Sequence, residues 1–260
     1  MLKIWIQDLR EFDIDPSEIE QWVTKERIEK WKNLRFPQAQ KEALSGEYLL
    51  NKAFREMKEK NILPDTLKEI SFPVIYEKNK YGAPYLPENP LFFNWSHSGD
   101  FGMLAVSDVP VGIDIQKRKK YRDSIAKKYY PSNVWETMRR LEDEEKEKLF
   151  FQCWTLLEAW LKGRGCGFYG YEKPVILSGF QGYHSIQPKD ANRQSQNEEQ
   201  NTIKGGQSDG ASQNREQEKI GFLSRGKLCG SSQERWSYQF LQVEENYEAC
   251  VAVKKNNFPL

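Results

Sequence analysis

Histidine is almost missing from this chain of 260 residues, with two in all, and cysteine is sparse and scattered, at Cys153, Cys166, Cys229 and Cys250. No Cys-x-x-Cys pair and no neighbouring histidine cluster occurs. A zinc site or a disulfide framework is therefore not expected, and the thiols are read as reduced. Long apolar runs are also lacking, so no segment approaches the length of a membrane span. The N-terminal residues, from Met1 to Asp8, turn polar too soon for a secretory signal, and the expected location is the cytoplasm. An excess of one charge sign is missing too. With 39 basic and 38 acidic residues, the net charge of +1 gives no sign of a nucleic-acid binder. Hydrophobic residues make up 38% and charged residues 30%, a polar balance with length enough for one large domain or two small lobes.

Part of that polarity is concentrated. From Lys189 to Glu218 the chain is rich in Gln, Asn, Ser, Gly and Glu, with Ala191, Ile203 and Ala211 as its only apolar residues. Such a segment cannot bury enough surface to offset the entropy of ordering it. It is expected to be a disordered or loosely held insert between two strands.

The remainder divides into a repeated plan. Leu2 to Ile6 alternates as a strand. Asp15-Pro16 has the form of a helix start, capped by Asp15 with Pro16 in the first turn, leading into charged helical sequence up to about Arg35. A second helix is expected from Pro37 to Lys60, with Ala43, Leu44, Tyr48, Leu49 and Ala53 on one stripe, and Gly46 marking close packing or a defect. Strands are expected at Ile70 to Tyr76, Leu91 to Asn94, Gly102 to Ser107 and Val111 to Ile115, with a turn at Tyr81-Gly82-Ala83-Pro84. Helical sequence then covers Arg122 to Leu149, broken near Pro131, and a longer helix runs from Lys146 to Gly163. Strands at Val175 to Leu177, Trp236 to Val243 and Tyr247 to Val253 close the fold. The expected class is α+β, as two halves covering 1–109 and 110–260, with the insert at 189–218 in the second.

Three groups of residues can carry chemistry. Asp114 and Gln116 share one face of a strand, because i and i+2 project to the same side, while Ile113 and Ile115 project into the core. A carboxylate and an amide oxygen suit magnesium, which takes one or two protein carboxylates beside substrate phosphates. An Asp closing a strand with an ordinary hydrogen bond is the plainer alternative. Glu158 and Lys162 stand one helical turn apart with Trp154 on the same face, and can form an ion pair of the kind common on surfaces. Their context is less ordinary, because Gly163, Gly165 and Gly167 follow and allow a backbone to approach a ligand closely. Ser96, His97 and Ser98 are read as a turn offering donors to phosphate oxygens. His184 has no such context. The basic run Lys117-Arg118-Lys119-Lys120 suits an acidic partner or nucleotide phosphates, or is a solvated face; Lys25, Arg27, Lys30, Lys32 and Arg35 are read in the same way.

In combination the blocks Asn94 to Gly99, Gly112 to Gln116 and Trp154 to Lys162 resemble the 4′-phosphopantetheinyl transferases of the Sfp type, which activate peptide and polyketide synthases. Weaker similarity covers the Tyr81-Gly82-x-Pro84 turn, the helix around Gly46, Leu49 and Leu50, and the C-terminal strand. The resemblance implies a monomer of two pseudo-symmetric α+β halves with coenzyme A in the cleft between them. It implies Mg2+ on the diphosphate, held by Asp114 and Glu158 with Gln116 at the third position. It also implies that Lys162 contacts phosphate or steadies Glu158, that His97 binds the 3′-phosphate of coenzyme A, and that Ser96 joins His97 and Lys162 in the coenzyme A-binding set. The implied acceptor is a serine of an acyl, peptidyl or polyketide carrier protein, with no nucleic acid and no membrane as partner. Three positions depart from the family pattern. Gln116 stands where bacterial members often carry a second Glu, Leu157 replaces a Lys before the motif Glu, and Ala83 replaces the Lys of Gly-Lys-Pro. The loss of positive charge predicts weaker coenzyme A binding. A non-catalytic relative that binds coenzyme A or a carrier protein is the alternative these departures allow.

Overall fold

The computed structural model describes residues 1–87, 90–172, 175–178, 221–229 and 234–255. The polar insert expected at 189–218 lies outside them. In chain order the elements are β1 (Leu2–Asp8), α1 (Ile19–Trp22), α2 (Lys25–Lys32), α3 (Pro37–Glu59), β2 (Glu77–Lys78), β3 (Pro84–Tyr85), β4 (Phe92–Ser98), β5 (Phe101–Ser107) and β6 (Val111–Lys117). There follow α4 (Asp123–Tyr129), α5 (Ser132–Met138), α6 (Asp143–Gly163), β7 (Val175–Ser178), β8 (Gly221–Cys229), β9 (Arg235–Gln242) and β10 (Tyr247–Lys254). The class is α+β, with antiparallel sheets throughout.

One sheet has the order β1-β5-β4 and the other β6-β10-β9-β8-β7, with β2 and β3 forming a separate hairpin. Their alternation dictates the layering. Trp5, Phe93, Leu104 and Val106 project from the first sheet onto Leu49, Leu50, Ala53, Phe54 and Met57 of α3. The residues between them, Ile6, Phe101, Met103 and Ala105, project to the opposite side, where Ile113, Ile115, Ala249 and Val251 of the second sheet meet them. Trp236, Tyr238, Phe240, Cys250 and Ala252 project from the far side of that second sheet onto α6. The result is a helix–sheet–sheet–helix stack. A strand covered on both faces reads as a continuous apolar run, and β5 is buried at every position.

Several boundaries differ from expectation. Asp15 does not start a helix: its carboxylate accepts from the amide and hydroxyl of Ser17 at 2.8 and 2.7 Å, an Asx turn, and α1 begins at Ile19. The helical stretch is interrupted at Val23, and Thr24 caps α2 by accepting from the Arg27 amide. Ile70 to Tyr76 is not a strand. Pro73 has no N–H to give a ladder, and the Val74 amide donates to the side chain of Asn51 at 2.7 Å. The helix expected from Lys146 starts earlier, at Asp143. Gly46 marks close packing: a Cβ there would lie 2.7 Å from the Trp95 indole.

One correction bears on the site. Ser96, His97 and Ser98 do not form a turn but continue β4, and the chain reverses at Gly99, whose φ is +55°. Strand geometry therefore separates them, with His97 on the α3 side and the two serines on the β6 side. Cys153, Cys166 and Cys250 are free thiols. No helix among the described residues is long and apolar enough to cross a membrane.

Candidate active site

The unpaired edge of β6 organises the site. Among the described residues, its amides at Ile113, Ile115 and Lys117 meet no neighbouring strand on that side. Asn94, Ser96 and Ser98 of β4, spaced by two, accept from them at 3.4, 3.5 and 3.0 Å. These side chains thus bridge the two sheets, and Ser96 carries the bridge to Asp114.

Asp114 is fully buried. Its Oδ1 accepts from the Ser96 hydroxyl at 2.7 Å and from the Lys162 ammonium at 2.6 Å, while Oδ2 accepts from the Gln116 amide at 3.2 Å. Lys162 also donates to Ser96 Oγ at 2.9 Å and to the Ile113 carbonyl at 3.3 Å. Its distance to Glu158 is 4.0 Å. The helical ion pair expected from spacing is therefore loose, and the ammonium is turned onto Asp114 instead. Glu158, one helical turn before Lys162, lies near enough to Asp114 to feel its charge. Burial, and then the Asp114 charge, push its pKa up to about 7, against the opposing pull of Lys162.

Close approach of helix and strand makes this cluster possible. A Cβ on Gly112 would fall 1.9 Å from the Ala159 carbonyl oxygen and 2.3 Å from the Gly163 nitrogen. Only glycine lets α6 lie so near β6 that Glu158 and Lys162 reach Asp114. After Gly163 the backbone turns, with positive φ at Gly165 and Gly167.

That turn forms one wall of a cleft of about 340 Å³. The other walls are Arg27 of α2, Lys78 and residues 81–84 of the hairpin, and Asn94 and Trp95 of β4, with Lys162 on the wall shared with α6. Asn79 of the hairpin donates to the Gly165 carbonyl at 2.7 Å and ties the two sides together. Three cations, Arg27, Lys78 and Lys162, face a space lined with glycine and aromatic groups, a setting suited to an anionic ligand.

His97 stands apart from Ser96, with its Nδ1 3.6 Å from Glu42 Oε2 of α3. The protein packed around the ring lowers its pKa below the ordinary histidine value, and Lys162 acts in the same direction, while Glu42 opposes them. Ala83 lines the cleft. Leu157, in contrast, is 2% exposed in the core under α6, so a lysine there would not face the cleft. Trp154 stacks on Phe168, with ring centroids 5.7 Å apart. In the basic run, Lys117 is paired with Asp100 at 2.8 Å and Arg118 lies 3.9 Å from Glu248, while Lys119 and Lys120 are exposed.

Lys78 is a site residue that sequence reasoning did not name, and Arg27 was read only as one of five helix cations suited to an acidic partner, nucleotide phosphates or a solvated face. Arg27 sits in a charged helix among several similar cations, and Lys78 in a two-residue strand. Only the fold turns them into one cleft.

The donor set can be tested against magnesium. Asp114, Glu158 and the Gln116 carbonyl offer oxygen, the atom type magnesium takes. The cradle already holds a cation, the Lys162 ammonium, and Asp114 raises the pKa of Glu158, a repulsion that a divalent ion would relieve. Among the described residues no group of three His, Cys, Asp or Glu can hold a metal by itself. The residues fit a shared site, completed by water and a ligand's phosphates, rather than an all-protein cage.

Comparison with known proteins agrees with this region. Residues 110–220 match the family described as the 4′-phosphopantetheinyl transferase superfamily. The chain is 37% identical over 95 residues to the 4′-phosphopantetheinyl transferase psf-1 of Bacillus pumilus, covering 36% of this chain and 41% of that protein. It is 36% identical over 110 residues to the 4′-phosphopantetheinyl transferase HetI of Nostoc sp., covering 40% and 46%. Against the 4′-phosphopantetheinyl transferase Sfp of Bacillus subtilis it is 31% identical over 93 residues, covering 35% and 42%. The chain thus spans less than half the length of these curated relatives. The matched stretch contains Asp114, Gln116, Glu158 and Lys162, and over residues 110–220 the chain is similar in sequence to the 4′-phosphopantetheinyl transferase superfamily.

Proposed function

We propose that this protein transfers the 4′-phosphopantetheine arm of coenzyme A to a serine of an apo acyl, peptidyl or polyketide carrier protein, releasing 3′,5′-ADP. The observation that carries the reading is the meeting of Asp114, Glu158 and Lys162 beside a cationic cleft, within the stretch that matches the superfamily. In this reading 1–109 and 110–260 act as two lobes of a cytoplasmic monomer, with coenzyme A between them.

Asp114 and Glu158, with Gln116, would hold Mg2+. When bound, the ion supplies positive charge that offsets the diphosphate. The chain's own residues do the rest. Lys162 shifts from Asp114 to a phosphate oxygen, Arg27 and Lys78 hold further phosphate charge, and His97 contributes from the α3 side of β4, while Ser96, on the opposite face, holds Asp114 and Lys162 in place. The carrier serine oxygen attacks the β-phosphorus; the new O–P bond forms as the bond to the bridging oxygen breaks. Glu158, or a water it holds, accepts the serine proton. Phosphoryl transfer needs mainly positioning and charge stabilisation, which a few such groups can provide.

The test is intact-mass spectrometry of an apo carrier protein incubated with this protein, coenzyme A and magnesium, with EDTA and Glu158→Ala as controls. A mass gain of one phosphopantetheine arm, absent from both controls, supports the reading. No gain on any carrier, with coenzyme A still bound, favours the non-catalytic binder.

A further inference from the structure

Away from the Asp114, Glu158 and Lys162 cluster lies a buried carboxylate that the proposed chemistry does not use. Glu47 of α3 is 2% exposed. Its Oε2 accepts from the Thr24 amide at 2.8 Å and the Thr24 hydroxyl at 2.9 Å. Its Oε1 accepts from Arg27 Nε at 2.9 Å and the Tyr76 hydroxyl at 2.6 Å. A carboxylate withdrawn from water needs such compensation. These contacts draw together the cap of α2, its first-turn arginine, and the segment that leads into the hairpin.

The arrangement leaves a specific part of Arg27 available. Nε is spent on Glu47, and one terminal nitrogen, Nη2, lies 3.4 Å from the Tyr76 oxygen. The outer edge formed by the two terminal nitrogens remains for the cleft, which Arg27 lines. That edge matches two oxygens of a phosphate. An arginine on an eight-residue helix would otherwise sample many rotamers. Glu47 removes that freedom twice, by gripping the guanidinium and by gripping Thr24, the cap of the same helix.

We propose that Glu47 is a positioning residue, which acts through Arg27 to present a fixed guanidinium to a phosphate group of the ligand in the cleft. The proposal rests on the reading of the cleft as the site of a phosphorylated nucleotide. A buried ion pair is not needed for stability as such, because an apolar replacement often serves as well. What an apolar residue cannot do is aim Arg27.

The experiment is calorimetric titration of the full chain with 3′,5′-ADP, for wild type, Glu47→Gln, Arg27→Ala and the double variant, with thermal unfolding of each. Glu47→Gln is expected to weaken binding about five- to tenfold, and Arg27→Ala at least about tenfold. The double variant should bind no more weakly than Arg27→Ala, because Glu47 has no route to the ligand without the guanidinium. Glu47→Gln should lower the unfolding temperature in both backgrounds, so stability and binding separate. With coenzyme A as substrate, the loss should fall on KM more than on kcat. Equal binding by wild type and Glu47→Gln, or losses that multiply in the double variant, would overturn the proposal and leave the cleft reading intact. No binding of 3′,5′-ADP by wild type would overturn both. If Glu47→Gln does not fold, Tyr76→Phe must weaken binding about two- to threefold; unchanged binding there counts against the proposal.

Discussion

Lys162 and Asp114 form the tightest contact of the candidate site: the ammonium lies 2.6 Å from a carboxylate oxygen that is wholly shielded from water. Lys162 comes from the last turn of α6 and Asp114 from the middle of β6, so this pair couples the helix to the strand. Asp114→Asn keeps the shape and removes the charge. The proposed transferase turnover is expected to fall by at least about 10²-fold, as for loss of an electrostatic group aimed at developing charge. Steady-state kinetics checks this, and a variant within threefold of wild type would remove Asp114 from the machinery.

Glu158 predicts a pH response. Its pKa of about 7 in the folded protein lies above the ordinary carboxylate value of 4.5. Between these values the unfolded chain holds fewer protons than the folded one, so stability falls as pH rises through the window. Glu158→Gln has no such proton to lose. Without metal at pH 8 it should be more stable than wild type by on the order of 1–2 kcal/mol. Magnesium, which requires the ionised carboxylate, should raise the unfolding temperature of wild type more at pH 8 than at pH 6, and leave Glu158→Gln unmoved. Thermal unfolding with and without magnesium measures both effects.

Ala83 and Leu157, which both stand where the resemblance leads one to expect a lysine, lie in different surroundings: Ala83 lines the cleft and Leu157 is core. Ala83→Lys places a cation on the cleft wall and should tighten coenzyme A binding about threefold, the scale of a partly exposed ion pair. Leu157→Lys buries an ammonium in the core under α6. It should destabilise the fold by several kcal/mol and give no gain in affinity. Titration and denaturant unfolding of the two variants distinguish them.

Gly112→Ala tests the close approach that assembles the site. The added methyl would meet the Ala159 carbonyl and the Gly163 nitrogen, both backbone atoms that cannot swing aside. A loss of about 3 kcal/mol or more is expected in urea unfolding, at the upper end of overpacking costs.

Much of the site was legible because its signals are short in range. The i, i+2 spacing of Asp114 and Gln116 fixed a common face, and the structure keeps both there, joined by a hydrogen bond. The i, i+4 spacing of Glu158 and Lys162 fixed a shared helix face. The strand at Ile70 to Tyr76 failed because its amide at Val74 is satisfied by Asn51, 23 positions earlier in the chain, which no local pattern encodes. The serine–histidine turn failed because a Ser-His-Ser-Gly string is compatible with a turn or a strand end, and pairing of His97 with Gly102 decided for the strand.

The sequence by itself determined the α+β class, the long helices α3 and α6, the strand carrying Asp114, and the likeness to a transferase superfamily. Each depends on periodicity or on residues close together in the chain. Only the tertiary structure decided that Lys162 is turned onto Asp114 rather than Glu158, that His97 lies on the opposite face from Ser96, that Leu157 is core, and that Arg27 and Lys78 share a cleft with Lys162. The reason is that charge pairing and burial depend on distance in space. The partner with the strongest claim on Lys162 lies 48 positions away, and that of Arg27 lies 20 positions away, where a linear pattern carries no information about who is near.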